Sequence, residues 1–403
     1  MNRIAHFFQL PSLNPEYVSY LYIPPLISLE SIFVSIVESI HPLFFITAIV
    51  ILLLAWFVWI KLRYPFWSCQ PVKHTYSWLP KRGLMHPVLP KTKFYEPQKV
   101  KTATEILEPT RQEICRLLQS HWIPSDRAFC DIQPADLADF AVASMFQDGK
   151  GCVISRTAHL YIPDASMIPV LVQDYFAVGR DEPVDTARRL FDSHEYNCRV
   201  MKPEYKVSVF KKEVDLLEGV VPWIEYTCST FPIENRKLRR LPPDFTVVRV
   251  QKQNTDLLHD FLRSGIEQAV VLDIGTLLAM LKTNQMYMYG LKRGDQVFAL
   301  YWFKNAHVRH EDMDGNALHF IASFRNTEND DLFSLGFSHS LREVLREYRE
   351  YRVLMMDSIG ANGEIVELWK RTHRSIGETR CAYYLYNWGI PQMMDKEKCL
   401  VIV

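Results

Sequence analysis

Glycine is scarce in this chain, 15 of 403 residues, which excludes collagen-like and glycine-rich repeat architectures. Neither sign of charge is in excess: 46 basic and 46 acidic side chains leave no polybasic surface for nucleic acid. No C-x-x-C pair occurs, and the eight cysteines are scattered from Cys69 to Cys399. That spacing fits reduced thiols in a cytosolic compartment, not a disulfide scaffold or zinc module. There is no P-loop and no G-x-S-x-G, and His194-Glu195 lacks the second histidine of H-E-x-x-H, which removes NTPase and hydrolase readings. What the chain does have is 48% hydrophobic and 23% charged residues, a globular balance that excludes wholesale disorder. Its length predicts two to three domains.

The run from Leu43 to Ile60 carries no charge. Eighteen such residues just span a hydrocarbon core of about 30 Å. Trp56 and Trp59 sit near its end and Lys61 and Arg63 follow, as at a membrane interface. About forty residues precede it, which argues against a signal peptide. Lys61, Arg63, Lys73, Lys81 and Arg82 crowd the C-terminal side, so the positive-inside rule puts the C-terminal bulk in the cytosol. Residues 1–42 contain the apolar stretch Ser31–Ile40, which reads as a membrane-surface helix of no assigned function.

Residues 61–101 read as an extended arm: between 65 and 101 lie many prolines and lysines. Thr110 and Glu113 predict a capping box opening a helix, and Pro134 predicts a second helix carrying Leu137, Phe140 and Ala141. Strands are predicted at 152–154, 168–172, 175–178, 206–210 and 223–228, with a helix over 185–196. Residues 235–244 look like a linker. Beyond it the pattern restarts with a strand (246–250), a helix (256–264), strands at 296–303 and 317–324 around a turn at Asp314-Gly315, a helix (335–348), a strand (353–357), a helix (363–372) and a final strand (383–388). The expectation is an α/β (α+β) protein of two related halves with mixed sheets, 102–240 and 241–403, behind one transmembrane helix at 43–60.

Two segments are more specific. Phe66-Trp67-Ser68-Cys69-Gln70-Pro71-Val72 resembles the F-W-x-T-Q-P-V arm of the N-myristoyltransferase family. Tyr383-Tyr384-Leu385-Tyr386-Asn387-Trp388 with Pro391 resembles that family's closing motif, Y-Y-L-Y-N-W-x-x-P, and the apolar end Leu400–Val403 lies at a similar distance. Ile132–Val142 is similar to its S-P-E-F-L-x-W-A-L helix. The resemblance covers roughly residues 64–403, strongest at both ends.

It implies two N-acyltransferase-like (GNAT-like) halves, the first binding myristoyl-CoA as co-substrate and the second a peptide, with transfer of the acyl group to an N-terminal glycine. No permanently bound cofactor, metal or nucleic acid is implied. The oxyanion donors would be the backbone N–H groups of Tyr175 and Phe176, because Asp174-Tyr175-Phe176-Ala177-Val178 resembles the family's N-F-L-C-V strand. The base would be the α-carboxylate of Val403. Acyl-CoA contacts would come from Tyr64, Phe66, Trp67, Tyr175, Phe176, Ala177, Val178, Arg180, Thr186, Arg188 and Arg189. The family's basic R-S-K-R loop reads here Arg180-Asp181-Glu182-Pro183-Val184-Asp185-Thr186, whose carboxylates repel a pyrophosphate; the helix N-terminus with Arg188 and Arg189 compensates. Glu378 takes the place of an acid in the peptide-side G-D-G loop, and Lys211-Lys212-Glu213 that of T-A-G. The eroded loop also admits a second reading, a catalytically inactive, membrane-tethered binding or scaffold protein of the same fold. His307, His310, Glu311, Asp312, Asp314 and His319 suggest a metal cluster, but they straddle a polar hairpin, and no metal is expected there.

Overall fold

The computed structural model describes residues 42–403 apart from 78–81, 106, 124–127, 138, 163–166, 235–236, 252–267 and 312. The stretch 31–40 and the predicted helix over 256–264 lie outside the described residues. Contacts divide the chain into residues 1–63 and residues 64–403.

In the first unit the apolar run is one helix, α1 (Pro42–Arg63), with 22 residues and a length of about 33 Å. It is apolar all round: Phe44, Leu52 and Leu54 are exposed, and the Trp56 and Trp59 rings stack at 5.3 Å. Length and composition suffice to cross a membrane.

The second unit begins with an arm that is almost free of regular structure. Its strand β1 is only Gly83–Leu84, and β2 (Val100–Ala103) joins the main sheet. Helix α2 (Glu108–His121) starts two residues before the predicted capping box, because Pro109 presets the backbone of its first turn; Thr110 lies inside the helix and caps nothing. After β3 (Ala128–Cys130) comes a 3-10 turn, Pro134–Leu137, in place of the predicted helix. Its Asp136 carboxylate accepts the Gln133 N–H at 2.8 Å, and the chain then enters β4 (Val142–Phe146), whose apolar residues complete the sheet.

The hairpin β5 (Gly151–Tyr161) and β6 (Ile168–Val178) follows, then α3 (Val184–Met201), then β7 (Val207–Glu213) returning parallel to β6. The two strands predicted at 168–172 and 175–178 are one strand with a bulge: Ser155 pairs with Gln173 and Ile154 with Tyr175, leaving Asp174 as the extra residue. After β8 (Ile224–Pro232), β9 (Phe245–Arg249), β10 (Gln268–Leu272), α4 (Ile274–Lys282) and β11 (Met286–Arg293), the same winding recurs. Hairpin β12 (Gln296–His310) and β13 (Gly315–Arg325) leads through α5 (Asp330–Glu347) to β14 (Tyr351–Asp357), parallel to β13. The chain ends through α6 (Asn362–Lys370), β15 (Gly377–Tyr386), β16 (Trp388–Gly389) and β17 (Cys399–Ile402).

The halves exchange strands. β8, from the first, pairs with β14; β15, from the second, pairs with β7. One mixed sheet therefore runs through both, in the order β17-β10-β5-β6-β7-β15-β8-β14-β13-β12-β11-β9. The fold is the mixed α/β arrangement of two similarly wound halves that the sequence led us to expect.

Candidate active site

Strand β6 pairs with β7 only from Val170 to Gln173, although it continues to Val178. From Asp174 onward its backbone faces β5 on one side and a gap on the other. Tyr175 and Phe176, the expected oxyanion donors, open this stretch, which pairs with β5 alone, and Ala177 and Val178 complete it. In an antiparallel ladder alternate N–H groups turn away from the partner strand, and main-chain donors of that kind suit an acyl oxygen.

Aromatic side chains from the arm flank the gap. Phe66 is buried, and Trp67 stacks on Phe210 with centroids 6.0 Å apart and an interplanar angle of 8°. Phe210 is the last β7 residue paired to β6, and Phe191 of α3 and Phe176 pack into the same cluster. Tyr64 stacks on Tyr76 at 5.6 Å instead.

The arm is held there by polar residues of the two motifs. The Gln70 Nε2 donates to Asp192 Oδ1 at 2.8 Å, and the Tyr386 hydroxyl donates to Gln70 Oε1 at 2.8 Å. Asn387 adopts φ 63°, a left-handed conformation asparagine tolerates. Its Nδ2 donates to the carbonyls of His86 and Lys206, both at 2.9 Å, and its Oδ1 accepts the His86 N–H. The opening and closing motifs are thus two sides of one clamp.

Beyond β5 in the sheet, β17 runs parallel to β10, Val401 beside Val270 and Ile402 beside Val271, and brings Val403 to a charged cluster. Lys304 is buried in β12, its Nζ 3.1 and 3.0 Å from the two Asp174 carboxylate oxygens and 3.5 Å from the Val403 O. Arg156 pairs with the same carboxylate, donates to Gln285 Oε1 at 3.1 Å and lies 4.0 Å over the Phe140 ring. Burial alone would raise the Asp174 pKa, but Lys304 and Arg156 outweigh it and hold it at about 2. Burial pushes Lys304 below the ordinary lysine range, with Asp174 opposing and Arg156 adding to the shift. Sequence reasoning did not single out Lys304 or Arg156. The available signal for Lys304 was a lysine directly following the apolar run Val297–Phe303.

The loop before α3 is as acidic in space as in sequence. Arg180 donates to the Ile123 carbonyl at 3.1 Å, and the Thr186 hydroxyl donates to Glu182 at 3.3 Å. Arg188 pairs with Asp185 at 2.8 Å and Arg189 with Glu96. Both arginines lie at the helix start as expected, but each is matched by a carboxylate.

On the peptide side, Glu378 is exposed and pairs with Lys370 at 2.9 Å. The Lys211 ammonium lies 3.3 Å from the buried Asp357, whose carboxylate balances its charge. Burial would lower the Lys211 pKa, but Asp357 keeps it above the ordinary range. The suggested histidine cluster does not assemble among the described residues: His307 approaches Asp136 at 3.5 Å, whereas His319 approaches Asp357 at 3.0 Å. Cys228, His319 and Asp357 do bring donor atoms within 4.8 Å of one another, but Lys211 on Asp357 and Lys304 across from His319 oppose a divalent ion.

The sequence matches no protein-family profile and no curated protein. Its structure is similar to solved structures of Saccharomyces cerevisiae N-myristoyltransferase. With the enzyme holding myristoyl-CoA the TM-score is 0.62 at 10% identity, over 81% of this chain and 93% of the other. With myristoyl-CoA and inhibitors bound it is 0.63 at 9% identity, over 84% and 96%. The family resemblance read at the two sequence ends and the shared fold therefore agree.

Proposed function

We propose that this protein is an acyl-CoA-dependent N-acyltransferase that moves a myristoyl group to the N-terminal glycine of proteins. The observation that carries the reading is the convergence, on Lys304, of Val403 with Asp174 at the start of the half of β6 that lacks β7 as a partner, in a strand that also packs on arm aromatics. The acyl-CoA thioester would lie in the gap after Gln173, its chain and pantetheine against Phe66, Trp67 and Phe176. Tyr64, Arg180, Thr186, Arg188 and Arg189 would meet the nucleotide end.

In this mechanism the terminal carboxylate of the 403-residue chain takes a proton from the glycine ammonium, whose ordinary pKa is about 8. The freed nitrogen lone pair attacks the thioester carbon. The oxyanion that forms accepts hydrogen bonds from the N–H groups of Tyr175 and Phe176. As the carbon–sulfur bond breaks, the amine's second proton neutralises the CoA thiolate, and amide and CoA leave. Glu378, already near Lys370, would meet a basic residue farther along the peptide. Helix α1 would anchor the protein, with residues 64–403 in the cytosol where acyl-CoA is made available.

Purified protein mixed with labelled myristoyl-CoA and a glycine-initiated peptide should yield the acyl peptide. Adding one residue after Val403 displaces the carboxylate by up to about 3.5 Å and should abolish transfer while acyl-CoA still binds. Full activity in the extended protein would exclude this base. A second reading, an inactive tethered binding protein, is favoured by one observation, the carboxylates that hold Arg188 and Arg189; acyl-CoA binding without any transfer would support it.

A further inference from the structure

We propose that Lys304 is the positioning residue for the terminal carboxylate, tying it to the bulge of the strand that supplies the oxyanion donors. This rests on the acyl-transfer reading above and deepens it. Lys304 is 8% exposed, yet its ammonium reaches both oxygens of Asp174 and lies 3.5 Å from the Val403 O. Asp174 is the bulged residue immediately before Tyr175 and Phe176. One side chain from the second half thus sets the distance between two groups supplied by separate strands, β17 and β6. Positioning of this kind lets a weak base act, because the amine then meets base and thioester in one geometry.

The charge count supports the assignment. Arg156 and Lys304 supply two cations, and Asp174 and the terminal carboxylate two anions, so the cluster is balanced while buried. The other charged groups nearby are already engaged: His319 of β13 and Lys211 of β7 both face Asp357 of β14, and His307 of β12 faces Asp136 and Asp131. Asp273, which follows β10, accepts hydrogen bonds from Thr157 and Thr276. Lys304 is the cation that reaches from this cluster to the chain end.

The test uses the full 403-residue chain labelled with 1-13C valine, in which the Val403 carboxylate gives a carbon resonance apart from peptide carbonyls. In the wild type that resonance should keep its ionised position down to pH 4.5. In Lys304→Met its titration should move up by about one pH unit or more, the usual effect of removing an opposite charge at this range. Lys304→Arg should titrate as the wild type. The charge-balanced double variant Lys304→Met/Asp174→Asn guards against simple misfolding and should still shift upward, though less. Transfer from myristoyl-CoA to a glycine-initiated peptide should fall at least about tenfold in kcat/KM for Lys304→Met, with acyl-CoA affinity within about twofold. An unmoved resonance in both methionine variants would overturn the proposal. A moved resonance in a protein whose wild type transfers nothing would keep the link and discard the acyl-transfer reading.

Discussion

Replacing Gln70 by Leu removes its two side-chain hydrogen bonds, one to α3 and one to β15, without changing side-chain size much. Gln70 is 3% exposed; it donates to Asp192 and accepts from Tyr386, both at 2.8 Å. After the substitution Asp192 keeps only Thr92 at 3.0 Å, and the buried Tyr386 hydroxyl loses its acceptor. A lost bond to a charged group costs about 1.5–3 kcal/mol and one between neutral groups about 0.5–1.5 kcal/mol, so the total is about 2–4.5 kcal/mol. At roughly 2 °C per kcal/mol for a unit of this size, the melting temperature should fall by about 4–9 °C.

The deficit should depend on pH, and its sign follows from Asp192. Burial raises this carboxyl above the ordinary range while Gln70 and Thr92 pull it back. Without Gln70 the folded-state pKa climbs further above the unfolded value of about 3.9. The folded variant then holds a proton that the unfolded chain has released, so its stability falls as pH rises through that window. Thermal unfolding followed by tryptophan fluorescence should show a larger deficit at pH 7.5 than at pH 4.5. Equal deficits at the two pH values, or a change under about 0.5 kcal/mol at pH 7.5, would refute the clamp.

Other outcomes follow from the same geometry. Burial pushes His194 and His307 down to about 3, so the stability they contribute is complete above about pH 6.5 and is lost as pH falls toward 3. The melting temperature should start to decline below pH 6.5, and a flat profile from 6.5 to 5 would contradict this. Trp67→Ala removes the ring stacked on Phe210 and should weaken myristoyl-CoA binding several-fold with little change in peptide affinity; unchanged titration calorimetry would count against the aromatic wall. Arg188→Glu or Arg189→Glu should weaken acyl-CoA binding at low salt, and unchanged affinity in both variants would remove the phosphates from the α3 N-terminus. Deleting residues 1–63 should release a soluble 64–403 that unfolds cooperatively on heating; persistence in the membrane fraction would tell against α1 as the anchor.

The periodicity of α3, α5 and the β12–β13 hairpin was legible because each is long and one face is buried. The capping box at Thr110 misled because Pro109 starts the helix earlier, and a local proline constraint outranks a two-residue motif. The Pro134 helix misled because Val142–Phe146 is needed as a sheet strand between β2 and β5, a demand that no local pattern carries. Strand exchange between the halves was invisible for the same reason: β8 and β15 read as ordinary strands whichever partner they take.

The candidate site was legible in proportion to how much of its work side chains do. Gln70, Tyr386 and Asn387 make specific polar contacts, so substitution of any one leaves a buried group unpaired, and these residues stand out as motifs. The proposed oxyanion donors are main-chain groups, which leave almost no mark on residue identity; Tyr175 would serve there as well as phenylalanine. Lys304 lies between these cases. Its carbon stem suits an apolar strand, and its charge has a use only where Asp174 and Val403, 130 and 99 residues away in sequence, meet it. A buried lysine in a sheet strand is too costly to leave unmatched, so it marks two distant carboxylates that must converge on it. The single lysine after Phe303 was therefore the strongest pointer to the buried charge cluster in the second half, stronger than the histidines that begin three residues on.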